Sequence, residues 1–160
     1  MQNLIFRTAT GLLWAAGCAL PLQAFAALGG DAASVEADRI AMSATAVPAV
    51  NGAGYTVQGF TLSSATVVRE YLSGAGTVFA VAWEGPLKPD LRQLLGRRQF
   101  NAVDDGTRER NREGRRGPMV LRPAGASNLV IESSGHMRAF AGRAWLTDQL
   151  PAGVDTDAIR

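Results

Sequence analysis

Seven arginines stand within residues 97–118: Arg97, Arg98, Arg108, Arg110, Arg112, Arg115 and Arg116, interspersed with Asp104, Asp105, Glu109 and Glu113. A guanidinium is a planar fork of donors that matches carboxylate or phosphate bidentately. The crowded end of the stretch, Arg108, Arg110, Arg112, Arg115 and Arg116, is therefore the candidate anion- or partner-binding set. Seven cations against four anions leave a net charge of +3, modest for nucleic acid, and no aromatic residue interleaves 108–116 to stack a base. An anionic polymer or an acidic partner is the expected target, with no nucleic acid. The same side chains would also serve as a solvated surface whose arginines and carboxylates neutralise each other.

Catalytic constellations are sparse. His136 is the only histidine, in Ser133-Ser134-Gly135-His136. A nucleophilic triad needs a serine, a histidine base and a carboxylate to orient it, and Ser133 or Ser134, His136 and Asp148 supply those types. The serines stand beside the histidine at a strand end, however, and not at a strand-to-helix elbow. Glu70, Glu84 and Glu132 fall in or at the ends of predicted strands, where two could converge for acid–base work on a glycosidic bond. A glutamate on an antiparallel sheet more commonly pairs an arginine across strands, with Arg69 and Arg138 as candidates here. Gly29-Gly30 and Gly74-Ala75-Gly76 fit no phosphate-binding fingerprint. One Cys and one His supply no zinc set of the usual nitrogen and sulfur kind, so no metal, cofactor or catalytic residue is assigned.

The chain of 160 residues is 47% hydrophobic and 19% charged with a formal net charge of +2, values ordinary for one globular domain and too apolar for disorder. Its first residues form a secretory signal: Arg7, an apolar run from Thr8 to Leu22, then Ala24-Phe25-Ala26 as the small-x-small cleavage pattern. Pro21 and Gln23 cut the run short of the ~20 apolar residues a membrane span needs. Cys18 follows Ala15-Ala16-Gly17, without the leucine three places earlier that lipoprotein processing prefers, and apolar residues continue after it. Cleavage near Ala26 predicts a periplasmic or secreted protein with no transmembrane anchor. The mature chain, residues 27–160, keeps fifteen basic and fourteen acidic residues and no cysteine, so its single domain must hold by packing and hydrogen bonds alone.

The elements follow from periodicity. Asp31–Met42 reads as a short helix capped by Asp31 or Ser34. Val47–Gly54, with Pro48, Asn51, Gly52 and Gly54, reads as a connection. From Tyr55 to Trp83 the period becomes two, giving three strands in a meander, and the last of them is apolar on both faces: Phe79, Val81 and Trp83 on one, Val78, Ala80 and Ala82 on the other. Pro89 and Asp90 open a short helix that Gly96 stops. Residues 97–118 have little beyond Phe100 and Val103 to bury and are expected to form a mobile surface loop. Met119–Arg122, Asn128–Glu132 and Met137–Leu146 read as strands, and Pro151–Arg160 as a polar tail with one helical turn. The predicted class is α+β: a single, mostly antiparallel sheet of five to six strands, a short N-terminal helix and a short helix after the third strand.

Several segments together resemble a known group: Leu28-Gly29-Gly30-Asp31, Val68-Arg69-Glu70-Tyr71, Val78 through Pro86, Pro89-Asp90-Leu91, Leu94-Leu95-Gly96, and Ser134 through Trp145. The pattern is similar to the small secreted proteobacterial proteins grouped as domain-of-unknown-function family 2844. The resemblance implies export and a single domain, and brings no catalytic residue with it. The function expected from all this is a non-catalytic binding or envelope-associated accessory domain, whose partner is an envelope protein or anionic envelope polymer. The alternative is a small periplasmic hydrolase using His136 or a pair of glutamates.

Overall fold

The computed structural model describes residues 28–160; the expected signal segment lies outside them. Helix α1 (Ala32–Ala41) begins where Asp31, in extended conformation, accepts a hydrogen bond from the Ser34 amide at 3.0 Å. Seven strands follow: β1 (Thr45–Asn51), β2 (Tyr55–Thr61), β3 (Val67–Ser73), β4 (Val78–Gly85), β5 (Met119–Leu121), β6 (Leu129–His136) and β7 (Ala139–Leu146). They form one sheet in the order β1-β2-β3-β4-β7-β6-β5 with every pair antiparallel. Helix α2 (Leu91–Arg112) carries the chain from the middle of the sheet to its far edge. The α+β class and the antiparallel sheet agree with the sequence, and the strand count exceeds the expected five to six.

The additional strand is β1, which replaces the connection predicted over 47–54. All seven of its residues are exposed, so no hydrophobic alternation marks it. An extra residue near Pro48 bulges it between Val47 and Val50, which suits an edge strand where a missing N–H costs nothing.

The second correction concerns residues 97–112, which are helical and not a loop. Gly96 does end the first helical segment, at φ +79° and ψ 159°, a conformation open chiefly to glycine, but a new helical run starts directly behind it. Leu94 and Leu95 are fully buried ahead of that kink, and Val103 is the one buried residue after it. What supports the second run is charge spacing: Arg108 meets Asp104 at 2.7 Å and Arg112 meets Glu109 at 2.6 Å, the i+4 and i+3 positions of a helix.

The central strand β4 is buried on both faces, as its composition requires, yet its alternation is broken. Tyr71 pairs with Ala80 while Leu72 pairs with Val78, which leaves Phe79 without a partner on β3. Past this bulge the faces swap. Val78, Val81 and Trp83 join the core beneath the helices with Val35, Val68, Leu72, Leu94, Leu95 and Ile131. Phe79, Ala80 and Ala82 join a second cluster with Tyr71, Val130, Trp145 and Ile159 on the opposite face. Trp83 lies over Gly142 of β7, where an added Cβ would fall 2.2 Å from the indole ring, so only glycine allows that approach.

Candidate functional site

The face of the sheet turned away from the helices is crossed by one strap, residues 150–160, and by nothing else among the described residues. Leu150, Val154 and Ile159 pack the strap down, and Ile159 is fully buried. Two hydrogen bonds clamp it. The Tyr71 hydroxyl donates to the Arg160 carbonyl at 2.7 Å and accepts from the Arg160 amide at 2.8 Å. Arg143 adds contacts to the carbonyls of Thr156 (2.7 Å) and Ile159 (3.3 Å). The segment expected as a polar tail with one helical turn is thus the only cover this face has among the described residues, and Leu150, Val154 and Ile159 are its apolar sequence signals.

On either side of the strap the sheet is cleft. The groove over β4, β7, β6 and β5 has a volume of ≈ 370 Å³, and Glu84, Glu132, Arg143, Ser134, Val120 and Arg160 are among its lining. Its central cation is neutralised: Arg143 lies 2.8 Å from Glu132 and 3.5 Å from Asp157. The groove over β1, β2 and β3 has a volume of ≈ 540 Å³ and is walled by Val47, Val50, Tyr55, Val57, Val67 and Tyr71, with Gly59 and Arg69 in its floor.

The sequence candidates are scattered over this frame. Of the five arginines, Arg108 pairs with Asp104, Arg112 with Glu109, and Arg115 with Glu113 at 3.4 Å. Arg110 donates to the carbonyls of Arg115 and Pro118, closing the end of α2. Arg116 makes no ion pair or hydrogen bond among the described residues. His136 is exposed at the end of β6, where it pairs with Ala139 across the two-residue turn Met137-Arg138. Asp148 accepts from Asn128 at 3.1 Å beyond the other end of the same hairpin, so Ser133, Ser134, His136 and Asp148 form no triad.

The glutamates divide between the faces. Glu84 and Glu132 both line the smaller groove, but β7 and its Arg143 stand between their strands. Two strand spacings of about 4.8 Å already reach the outer limit for a glycosidase pair. Glu132 takes the cross-strand arginine role, with Arg143 and not Arg69 or Arg138. Glu70 lies on the helix side, fully buried, with neither carboxyl oxygen hydrogen-bonded. Burial first, and the charge of Asp38 second, push its pKa up to about 9. Asp38, equally buried on α1, accepts a hydrogen bond from Gln93 of α2 at 2.5 Å. No cleft reaches Glu70, so a catalytic pair built on it has no substrate path. Among the described residues no cluster of three or more His, Cys, Asp or Glu could hold a metal, and no helix is long and apolar enough to cross a membrane.

A family model described as a protein of unknown function, DUF2844, matches residues 24–159. The chain belongs to that family. No curated protein and no solved structure matches. On this DUF2844 chain the strapped sheet face, with a groove on either side of the strap, is the candidate site. Gly59 and Arg69 were not among the candidate binding residues expected from the sequence. The available signal was a guanidinium at the inward phase of an alternating strand, Val67-Arg69-Tyr71, opposite a residue with no side chain.

Proposed function

We propose that this chain is a non-catalytic binding domain, exported after removal of residues 1–26, that works in the periplasm or outside the cell as an envelope-associated accessory. One observation carries the reading: half of a seven-stranded sheet's two-sided surface is left to a single strap, with clefts of ≈ 370 and ≈ 540 Å³ beside it. Antiparallel sheets can leave one face to water, but that face is then polar. Here the half-buried Tyr55, Val57 and Val67 and the exposed Val47 and Val50 line it, and apolar surface of this kind in a concave setting is what ligand sites are made from. The arginine set Arg108, Arg110, Arg112, Arg115 and Arg116 is a second contact in this reading, for an anionic envelope polymer or acidic envelope protein. Arg116 is its uncommitted member, and the others would exchange a local partner for the ligand.

The test pairs binding with turnover on one sample. Purified protein is titrated with anionic and amphipathic envelope components while tryptophan fluorescence and thermal unfolding are followed, and the same protein is offered ester and glycoside substrates. Saturable binding without turnover is the expected result. Turnover lost in His136→Ala, or in Glu84→Gln with Glu132→Gln, would replace this reading with a hydrolase.

A further inference from the structure

We propose that the groove over β1–β3 binds a single-chain amphiphile with an anionic head, a long-chain carboxylate or alkyl phosphate, its head held by Arg69 and its chain laid between β1 and the strap. The inference rests on the binding-domain reading and assigns it a ligand class.

Charge decides the head group. Arg69 is partly buried in the groove floor and has no ion pair or hydrogen bond among the described residues, and the groove's other charged lining residue is Arg160. No aspartate or glutamate side chain lines this groove, whereas the smaller one answers its Arg143 with Glu132 and Asp157. A guanidinium set in an apolar wall without a counter-ion favours an anion strongly, because water screens it less there. Shape decides the tail. Gly59 pairs directly with Arg69 across β2 and β3, so the floor has a hollow beside the cation. Val47, Val50, Val57 and Val67 wall the space around that hollow. The ≈ 540 Å³ volume lies within the ~300–1,000 Å³ usual for small-ligand sites.

A strand from another molecule is the competing occupant, since β1 is an exposed edge. The bulge between Val47 and Val50 and the proline at position 48 interrupt the row of donors and acceptors such a strand would need.

The experiment is calorimetric titration of the purified protein with dodecanoate and dodecyl phosphate below their micelle concentrations, with dodecanol as the neutral control. Binding of both anions should strengthen roughly fourfold per added methylene along a C8–C12 series. Arg69→Gln should weaken the anions at least tenfold and leave dodecanol unchanged. Gly59→Leu should abolish all three, because a side chain there meets only ordinary contacts, 3.4 Å from the Val68 carbonyl and 3.6 Å from Val47, and fills the hollow. Should Gly59→Leu fold poorly, Val50→Glu places an anion on the 63% exposed rim and should repel the same ligands. Anion binding unaffected by Arg69→Gln and Gly59→Leu but lost on Val120→Arg, in the smaller groove, would overturn this assignment and leave the binding-domain reading intact. A dimer that Gly59→Leu dissociates would put a second copy in the groove and overturn it as well. Absence of any binding to either anion would refute the ligand class, while the broader reading would still stand or fall on its own screen.

Discussion

On one side of the sheet Val68, Leu72, Val81 and Trp83 cluster with Val35 of α1 and Leu94 and Leu95 of α2; on the other, Tyr71, Phe79, Ala82 and Trp145 have, among the described residues, only the strap over them, through Leu150, Val154 and Ile159. The strands are shared, so the contrast comes from what covers them. Over β3 and β4 the helices cover their face completely enough to trap Glu70 without a hydrogen-bond partner, leaving a ≈ 330 Å³ groove only between α2 and the β5–β6 end, whereas the strap leaves grooves on both flanks. The sealed face supplies stability, and the strapped face supplies surface for recognition. That division predicts that truncating apolar side chains has unequal consequences on the two faces.

The largest difference should appear in the cores. Leu94→Ala, at a fully buried position under the helices, should lower unfolding free energy by about 2–5 kcal/mol, whereas Val57→Ala on the strapped face should cost less than about 1 kcal/mol. Urea unfolding measures both, and equal costs would erase the contrast.

Next comes Glu70. Its folded pKa of about 9 stands above the ordinary 4.5, so the folded state keeps a proton that the unfolded chain releases. Stability is then full below pH 4.5 and declines as pH rises toward 9, by at most 1.36 kcal/mol per pH unit. At pH 7 the loss is on the order of 3 kcal/mol. Glu70→Gln should remove this decline, so that the variant gains on the native protein as pH rises from 5 to 8. Parallel stability curves over that range would show that Glu70 is not held protonated.

Much of the covered face was legible in the sequence because its signals are local. Asp31 caps α1, Asp90 caps α2 and Gly96 interrupts it, each through short-range hydrogen bonding or a φ that few residues adopt. The strapped face was legible only in part. β1 carries no buried residue, so period-two reasoning has nothing to detect, and Pro48 and Gly52 argue for a turn. The Phe79 bulge is a property of pairing between strands and leaves no mark on one strand alone. Residues 97–112 look like a loop by hydrophobicity because only Val103 is buried after the kink, while the Asp104–Arg108 and Glu109–Arg112 spacings carried the helical signal. Grooves are harder still, since they depend on the side chains that are missing, as at Gly59.

A smaller effect should come from the strap's clamp. Tyr71→Phe deletes both hydrogen bonds to Arg160 and should cost about 1–2 kcal/mol, with hydrogen exchange of the Arg160 amide accelerating more than exchange in β4. Global acceleration would mean that the strap and the sheet unfold as one unit. Smallest of all, Arg108→Ser, Arg112→Ser and Arg115→Ser each break an exposed pair and should shift stability by less than about 0.5 kcal/mol. A larger loss at any of them would give the end of α2 a structural role in place of a contact role.

The central claim is that the face carrying the strap is the recognition surface. Its most direct test is an NMR titration of the isotopically labelled protein with dodecanoate below its micelle concentration. The account predicts shifts concentrated on Val57, Gly59, Val67, Arg69 and Tyr71, with the side chains of Val68 and Leu72, on the same strand but facing the helices, left in place. Shifts centred on the arginines of α2 or on His136, with the β1–β3 groove silent, would contradict it.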